Sequence, residues 1–155
     1  MQLTFYTDYS LRVLMYLGAH RDNVSTIADI SSRYNISRNH IVKVVHNLAS
    51  LGFIRTIRGR HGGMLLAREP EAINIADVIR RTEPSFILAE CFSANGDCRI
   101  DDICKLKAAL NEACQGFFTI LGRVTLADRL DDRQSLMNSL LEYEIPLRRV
   151  AQLLR

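Results

Sequence analysis

The chain has 155 residues, 48% hydrophobic and 24% charged, with a formal net charge of +3. This composition excludes a disordered chain, and the length suits one compact domain or a small domain carrying an oligomerisation arm. No apolar run approaches the roughly eighteen residues of a membrane span. The opening, with Asp8 and Arg12 inside its apolar run, has no basic start or small-residue cleavage site, so neither a signal peptide nor a membrane partner is expected and the location is expected to be cytoplasmic.

The modest total hides an asymmetry. Residues 1–68 hold nine Lys and Arg against three Asp and Glu, whereas residues 69–155 hold eleven against fourteen. Between Asp29 and Glu69 lie Arg33, Arg38, Lys43, Arg55, Arg58, Arg60 and Arg68 with no acid among them. Such a run suits a polyanion, because each phosphate that is neutralised releases condensed counterions. Its plain alternative is a solvated basic face.

In chain order, Thr7 is expected to cap a first helix whose Leu11, Leu14 and Met15 recur at helical spacing. Gly18 to Asn23 reads as a turn. Ser25 or Thr26 then opens a short helix carrying Ile27, Ala28 and Ile30 that stops around Asn35. Ser37 caps a third, with Ile41, Val44, Val45, Leu48 and Leu51 on its buried stripe and Gly52 as the stop. Two helices joined by a tight turn make a helix-turn-helix. Arg38, Asn39, His40 and Lys43 lie off the apolar stripe near the N-terminal end of the third helix, where a recognition helix meets base edges and phosphates. His40 and His46 can equally be plain surface histidines.

Residues 53–67, FIRTIRGRHGGMLLA, place two β-prone arms around a glycine-rich tip bearing Arg58, Arg60 and His61. This predicts a β-hairpin wing. It is no phosphate-cradling loop, since Gly-Lys-Ser/Thr is absent and no helix follows the glycines. Asn74 caps a helix from Ile75 to about Arg81, and Pro84 interrupts regular structure after it.

Further on, Leu106, Leu110, Ala113, Phe117, Ile120 and Val124 recur at alternating spacings of four and three residues, a narrow seam suited to burial against a second copy. The alternative is packing on its own domain. Leu126 to Leu141 is a further candidate helix. The fold class expected is mainly α with a small β-hairpin wing: a winged helix-turn-helix plus a long dimerisation helix. The expected divisions are 1–82 for DNA binding, 83–104 for a cysteine loop, 105–130 for dimerisation and 131–155 for a tail, expected to be helical by its amphipathic pattern. No nucleophile–base arrangement, zinc-protease motif or dinucleotide fingerprint is visible, so a binding protein rather than an enzyme is expected.

Three of the four cysteines, Cys91, Cys98 and Cys104, lie within fourteen residues at C-x6-C-x5-C spacing. Thiolates are soft ligands for iron-sulfur clusters or zinc. Structural zinc usually shows a C-x2–4-C knuckle and four ligands, and a reversible disulfide such as Cys91 to Cys98 needs only two reactive sulfurs; both readings stay open beside the cluster. Cys114 lies about 15 Å from Cys104 along a continuous helix, which makes it a packing residue.

Taken together, the opening QLTFYTDYSLRVL, the helix SRNHIVKVV, the wing RGRHGG, the cysteine loop and the run CKLKAAL resemble the iron-sulfur winged-helix transcription repressors, the IscR/NsrR-like family, and most closely its nitric-oxide-sensitive branch. The resemblance covers roughly residues 1–130. It implies a homodimeric repressor of nitric oxide stress genes that binds double-stranded operator DNA. It also implies an iron-sulfur cluster on Cys91, Cys98 and Cys104, most often 4Fe-4S and otherwise 2Fe-2S, with Asp8 of the other subunit completing the metal coordination. The histidine that IscR-like members place three residues after the last cysteine is Lys107 here. A relative sensing iron, cluster status or thiol oxidation through the same cysteines is the alternative.

Overall fold

The computed structural model describes residues 2–93, 98–100 and 103–130. The first helix, α1, spans Phe5–Ala19 and starts a turn earlier than the sequence pattern indicates. Thr4, not Thr7, is its cap: Thr4 Oγ1 accepts the Thr7 amide at 3.3 Å. Thr4 is itself held from far along the chain, donating its amide and its hydroxyl to Glu83 Oε2, each at 3.0 Å. Thr7 consequently lies buried inside the first turn. Leu14 is fully buried with Val13 and Leu17, while Leu11 and Met15 pack at the edge of the core.

The helix α2 covers Ile27–Tyr34 and opens on a reciprocal capping box. Thr26 Oγ1 accepts the Asp29 amide, and Asp29 Oδ2 accepts the Thr26 amide at 2.8 Å; two otherwise orphaned donors are satisfied by one residue pair. Asn35 ends the helix in the left-handed region, φ 51°. Thr26→Ala should lower stability by about 1 kcal/mol, read as a lower urea midpoint at unchanged m-value, with Thr26→Ser restoring it. An unchanged midpoint would show that the box contributes nothing.

The helix α3, Arg38–Ser50, begins at Ser37, whose side chain accepts the His40 amide. Ile41, Val44, Val45 and Leu48 are buried as the stripe requires, and Gly52 at φ 72° carries the chain out of the helix. The strands β1 (Ile54–Ile57) and β2 (Gly63–Leu66) pair antiparallel in the register Ile54↔Leu66 to Ile57↔Gly63. Ser25 extends this ribbon by two backbone bonds to Met64. A side chain at position 63 would collide with the Ser25 carbonyl, so the glycine there permits the wing to lie against the start of α2.

The helix α4, Ile75–Thr82, starts at Asn74 as the sequence indicates. Beyond the cysteine loop, α5 runs from Lys105 to Leu121 with none of its residues buried. Arg80 of α4 lies over the Phe118 ring, 4.4 Å from its centroid. The chain then returns to the first unit: Ile75 donates its amide to the Val124 carbonyl at 2.9 Å, and Leu126 donates to Ile73 at 2.8 Å. Leu126 is fully buried in the core that α1, α3 and the hairpin share. Most of the candidate helix at Leu126–Leu141 and the whole tail 131–155 lie outside the described residues, as do Ala94–Asp97 of the cysteine loop. No described helix is long and apolar enough to cross a membrane.

Candidate functional site

The exposed side of α3 and the tip of the hairpin form the basic surface. The buried stripe turns Ile41, Val44, Val45 and Leu48 into the core, which leaves Arg38, Asn39 and Lys43 in solvent. Arg58, Arg60 and His61 are likewise exposed at the tip between β1 and β2. Helix and hairpin face each other across a concave groove lined by Arg38, Val42, Thr56, Ile57 and Gly62. His40 is placed differently. Its ring lies 5.9 Å from that of Tyr9, and with Lys43 it lines a second concavity beside Phe5 and Tyr6 of α1.

The groove also takes in Val42 and Thr56, which the sequence pattern does not single out because neither carries a charge or a bidentate amide. The signal available was negative: Val42 is the one β-branched residue of α3 that falls outside the buried stripe, four residues after Arg38.

Cys91 lies in a short 3-10 turn, Glu90–Phe92, and Cys104 is the N-cap residue of α5, whose first backbone amides favour an anionic group. Cys91, Cys98, Cys104 and Cys114 are all half-buried and none is in a disulfide. Among the described residues no three His, Cys, Asp or Glu side chains converge as a ready-made metal cage. The donor set fits a soft metal centre in kind, with three free thiols within fourteen residues. Cys114 stands ten residues into the region after Cys104, about 15 Å along a helix axis.

Asp8 sits in the first turn of α1 with its carboxylate half exposed, accepting from Arg12 Nε at 2.9 Å. The same guanidinium lies over the Tyr34 ring, 5.7 Å from its centroid, at the end of α2. Burial pushes the Tyr34 hydroxyl up to about 12, against the opposing pull of Arg12. The chain of contacts therefore runs from Asp8 to the turn that introduces α3.

The model of the Rrf2 family, described as iron-dependent transcriptional regulators, matches residues 3–132. The HTH-type transcriptional regulator NsrR of Bacillus subtilis is 46% identical over 142 residues, which is 90% of this chain and 97% of that protein. Its namesake in Geobacillus kaustophilus is 48% identical over 144 residues, 92% of this chain and 98% of that protein. Among solved structures, the IscR of T. potens superposes with a TM-score of 0.68 at 25% identity, covering 85% of this chain and 88% of that one. The global cysteine regulator CymR of B. subtilis reaches a TM-score of 0.65 at 23% identity, over 83% and 95% of the two chains, a likeness of fold.

Proposed function

This chain belongs to the Rrf2 family, DNA-binding transcriptional regulators rather than enzymes, and from that premise we propose that it is a homodimeric repressor whose operator affinity is set by nitric oxide through an iron-sulfur cluster. In this reading Arg38, Asn39, His40 and Lys43 meet the operator's major groove while Arg58, Arg60 and His61 grip the flanking backbone or minor groove. The exposed seam of α5, where Leu106 and Ile120 remain 66% and 65% accessible, pairs with its counterpart in the second subunit. Cys91, Cys98 and Cys104 hold the cluster, and Asp8 of the partner subunit completes the coordination. When bound, a cluster of this kind supplies iron that reacts with nitric oxide.

The observation that carries the reading is the position of Cys104 as the residue from which α5 starts. Whatever the thiols hold is thereby joined to the helix assigned to dimerisation. The other end of the linkage is α1. It packs on α3 through the shared core, and it presents Asp8 under the restraint of Arg12, whose guanidinium also covers Tyr34. Arg12 engages only Oδ2 of Asp8, so a metal held across the subunit boundary would either share this carboxylate with Arg12 or displace the guanidinium from it. A displacement would change what Arg12 holds at the end of α2, one turn of chain ahead of α3. Glu83 adds a second tie, since it anchors the start of α1 to the segment that leads into the cysteine loop.

The test is to purify the full chain anaerobically, record its visible absorbance with its iron and sulfide content, and titrate nitric oxide while following operator binding. Bleaching together with a fall in affinity of about 5- to 150-fold, the usual span of an allosteric coupling, is expected. Operator affinity indifferent to nitric oxide would overturn the sensor reading. Colourless protein containing zinc and binding DNA unchanged would replace the cluster with a structural metal.

A further inference from the structure

Single exposed aliphatic side chains are ordinary on protein surfaces, so the 47% exposure of Val42 has no meaning by itself. Its position does. On α3, residues four apart are neighbours, which sets Arg38, Val42 and His46 in one row along the helix, beside the row of Asn39 and Lys43. Arg38 and Val42 both line the groove that α3 forms with the hairpin, opposite Thr56, Ile57 and Gly62. His40, in contrast, is drawn toward Tyr9 on α1. The surface that faces the hairpin strands is therefore a cation followed by an aliphatic group, one helical turn apart, with Lys43 exposed on the same helix.

A duplex major groove offers an aliphatic side chain one distinctive partner: the C5-methyl group of thymine, an apolar knob amid donors and acceptors. Resting on the DNA-binding part of the function proposed above, we propose that Val42 reads a thymine methyl in each operator half-site, next to the base contacted by Arg38. The charge of Arg38, Lys43, Arg58 and Arg60 favours a polyanion over an apolar peptide as the occupant of this groove. His46, one further turn along the same row, is exposed.

The experiment starts with the palindromic duplex that the full-length protein enriches from a random DNA pool. Each thymine in it is replaced in turn by deoxyuridine, which removes the C5-methyl group and leaves base pairing intact. Wild-type protein should lose about fourfold in affinity per half-site at one thymine position, as expected for returning one methyl to water. Val42→Ala should bind the parent duplex more weakly by a similar factor and show no further loss on the deoxyuridine duplex. Its affinity for random-sequence DNA, which depends on phosphate contacts, should equal that of wild type and shows that the variant is folded. If no thymine replacement weakens wild-type binding, or if the alanine variant keeps the full sensitivity of the wild type, Val42 reads no methyl. Failure to enrich any sequence would overturn DNA reading itself, whereas an enriched sequence unaffected by nitric oxide would overturn only the sensor.

Discussion

Replacing Cys91, Cys98 or Cys104 by serine is expected to abolish the nitric oxide response while leaving the helical core folded. All three thiols are half-buried, outside the cluster of buried residues formed by α1, α2, α3, the hairpin and α4, so their loss opens no cavity in it. A serine hydroxyl is a far harder and less acidic ligand than a thiolate, which removes a soft donor at each position. Each variant should therefore lose most of the visible absorbance and iron, and the coupling between nitric oxide and operator affinity should fall from about 5- to 150-fold to none. Far-ultraviolet circular dichroism and the urea midpoint should stay near those of wild type. Cys114→Ser is the internal control. With its thiol partway along α5 it should keep both absorbance and response, and a Cys114 variant as damaged as the Cys104 variant would reassign the ligand set.

The second large effect separates reading from holding. Arg38 lies in the first turn of α3 and in the groove facing the hairpin, and Arg58 and Arg60 stand in solvent at the hairpin tip. A guanidinium that forks onto a guanine carries sequence information, and its loss costs about 1–3 kcal/mol at that base pair. A guanidinium on a phosphate carries none. Arg38→Ala should thus weaken operator binding while flattening discrimination at one position of each half-site, and weaken binding to random DNA much less. The paired variant Arg58→Ala with Arg60→Ala should weaken operator and random DNA together. It should also reduce the slope of log affinity against log salt by about 0.9 for each phosphate contact removed. Titrations on operator and scrambled duplexes at several salt concentrations distinguish the two. A uniform loss for Arg38→Ala with a changed salt slope would make it another backbone contact.

Much of the DNA-binding unit is legible in the chain because its determinants are local. Thr26, Ser37 and Asn74 cap their helices through bonds to amides three residues on, and the i, i+3, i+4 stripe of α3 marks which residues turn inward. Basic residues left off that stripe are then exposed by elimination. Thr7 shows where this logic slips. Two threonines three residues apart offer competing starts for α1, and the choice of Thr4 is supported by the Glu83 carboxylate, 79 residues away in sequence. His40 shows a second limit, since its exposure was predictable but its approach to Tyr9 depends on how α1 crosses α3.

The order of helices and hairpin, the basic character of the surface on α3 and the hairpin tip, and the grouping of three thiols ahead of a helix with an apolar seam were all readable from the chain alone. All of these follow from spacings of a few residues, over which hydrogen-bonding partners and apolar faces are set by helix and strand geometry. The return of Leu126 to the core beside Ile73, the link from Asp8 through Arg12 to Tyr34, and the groove that Val42 shares with the wing emerge from the folded packing. Those contacts join segments that local pattern treats independently. Their partners are selected by which surfaces remain uncovered once the whole core has closed, and that selection depends on the packing of every element at once.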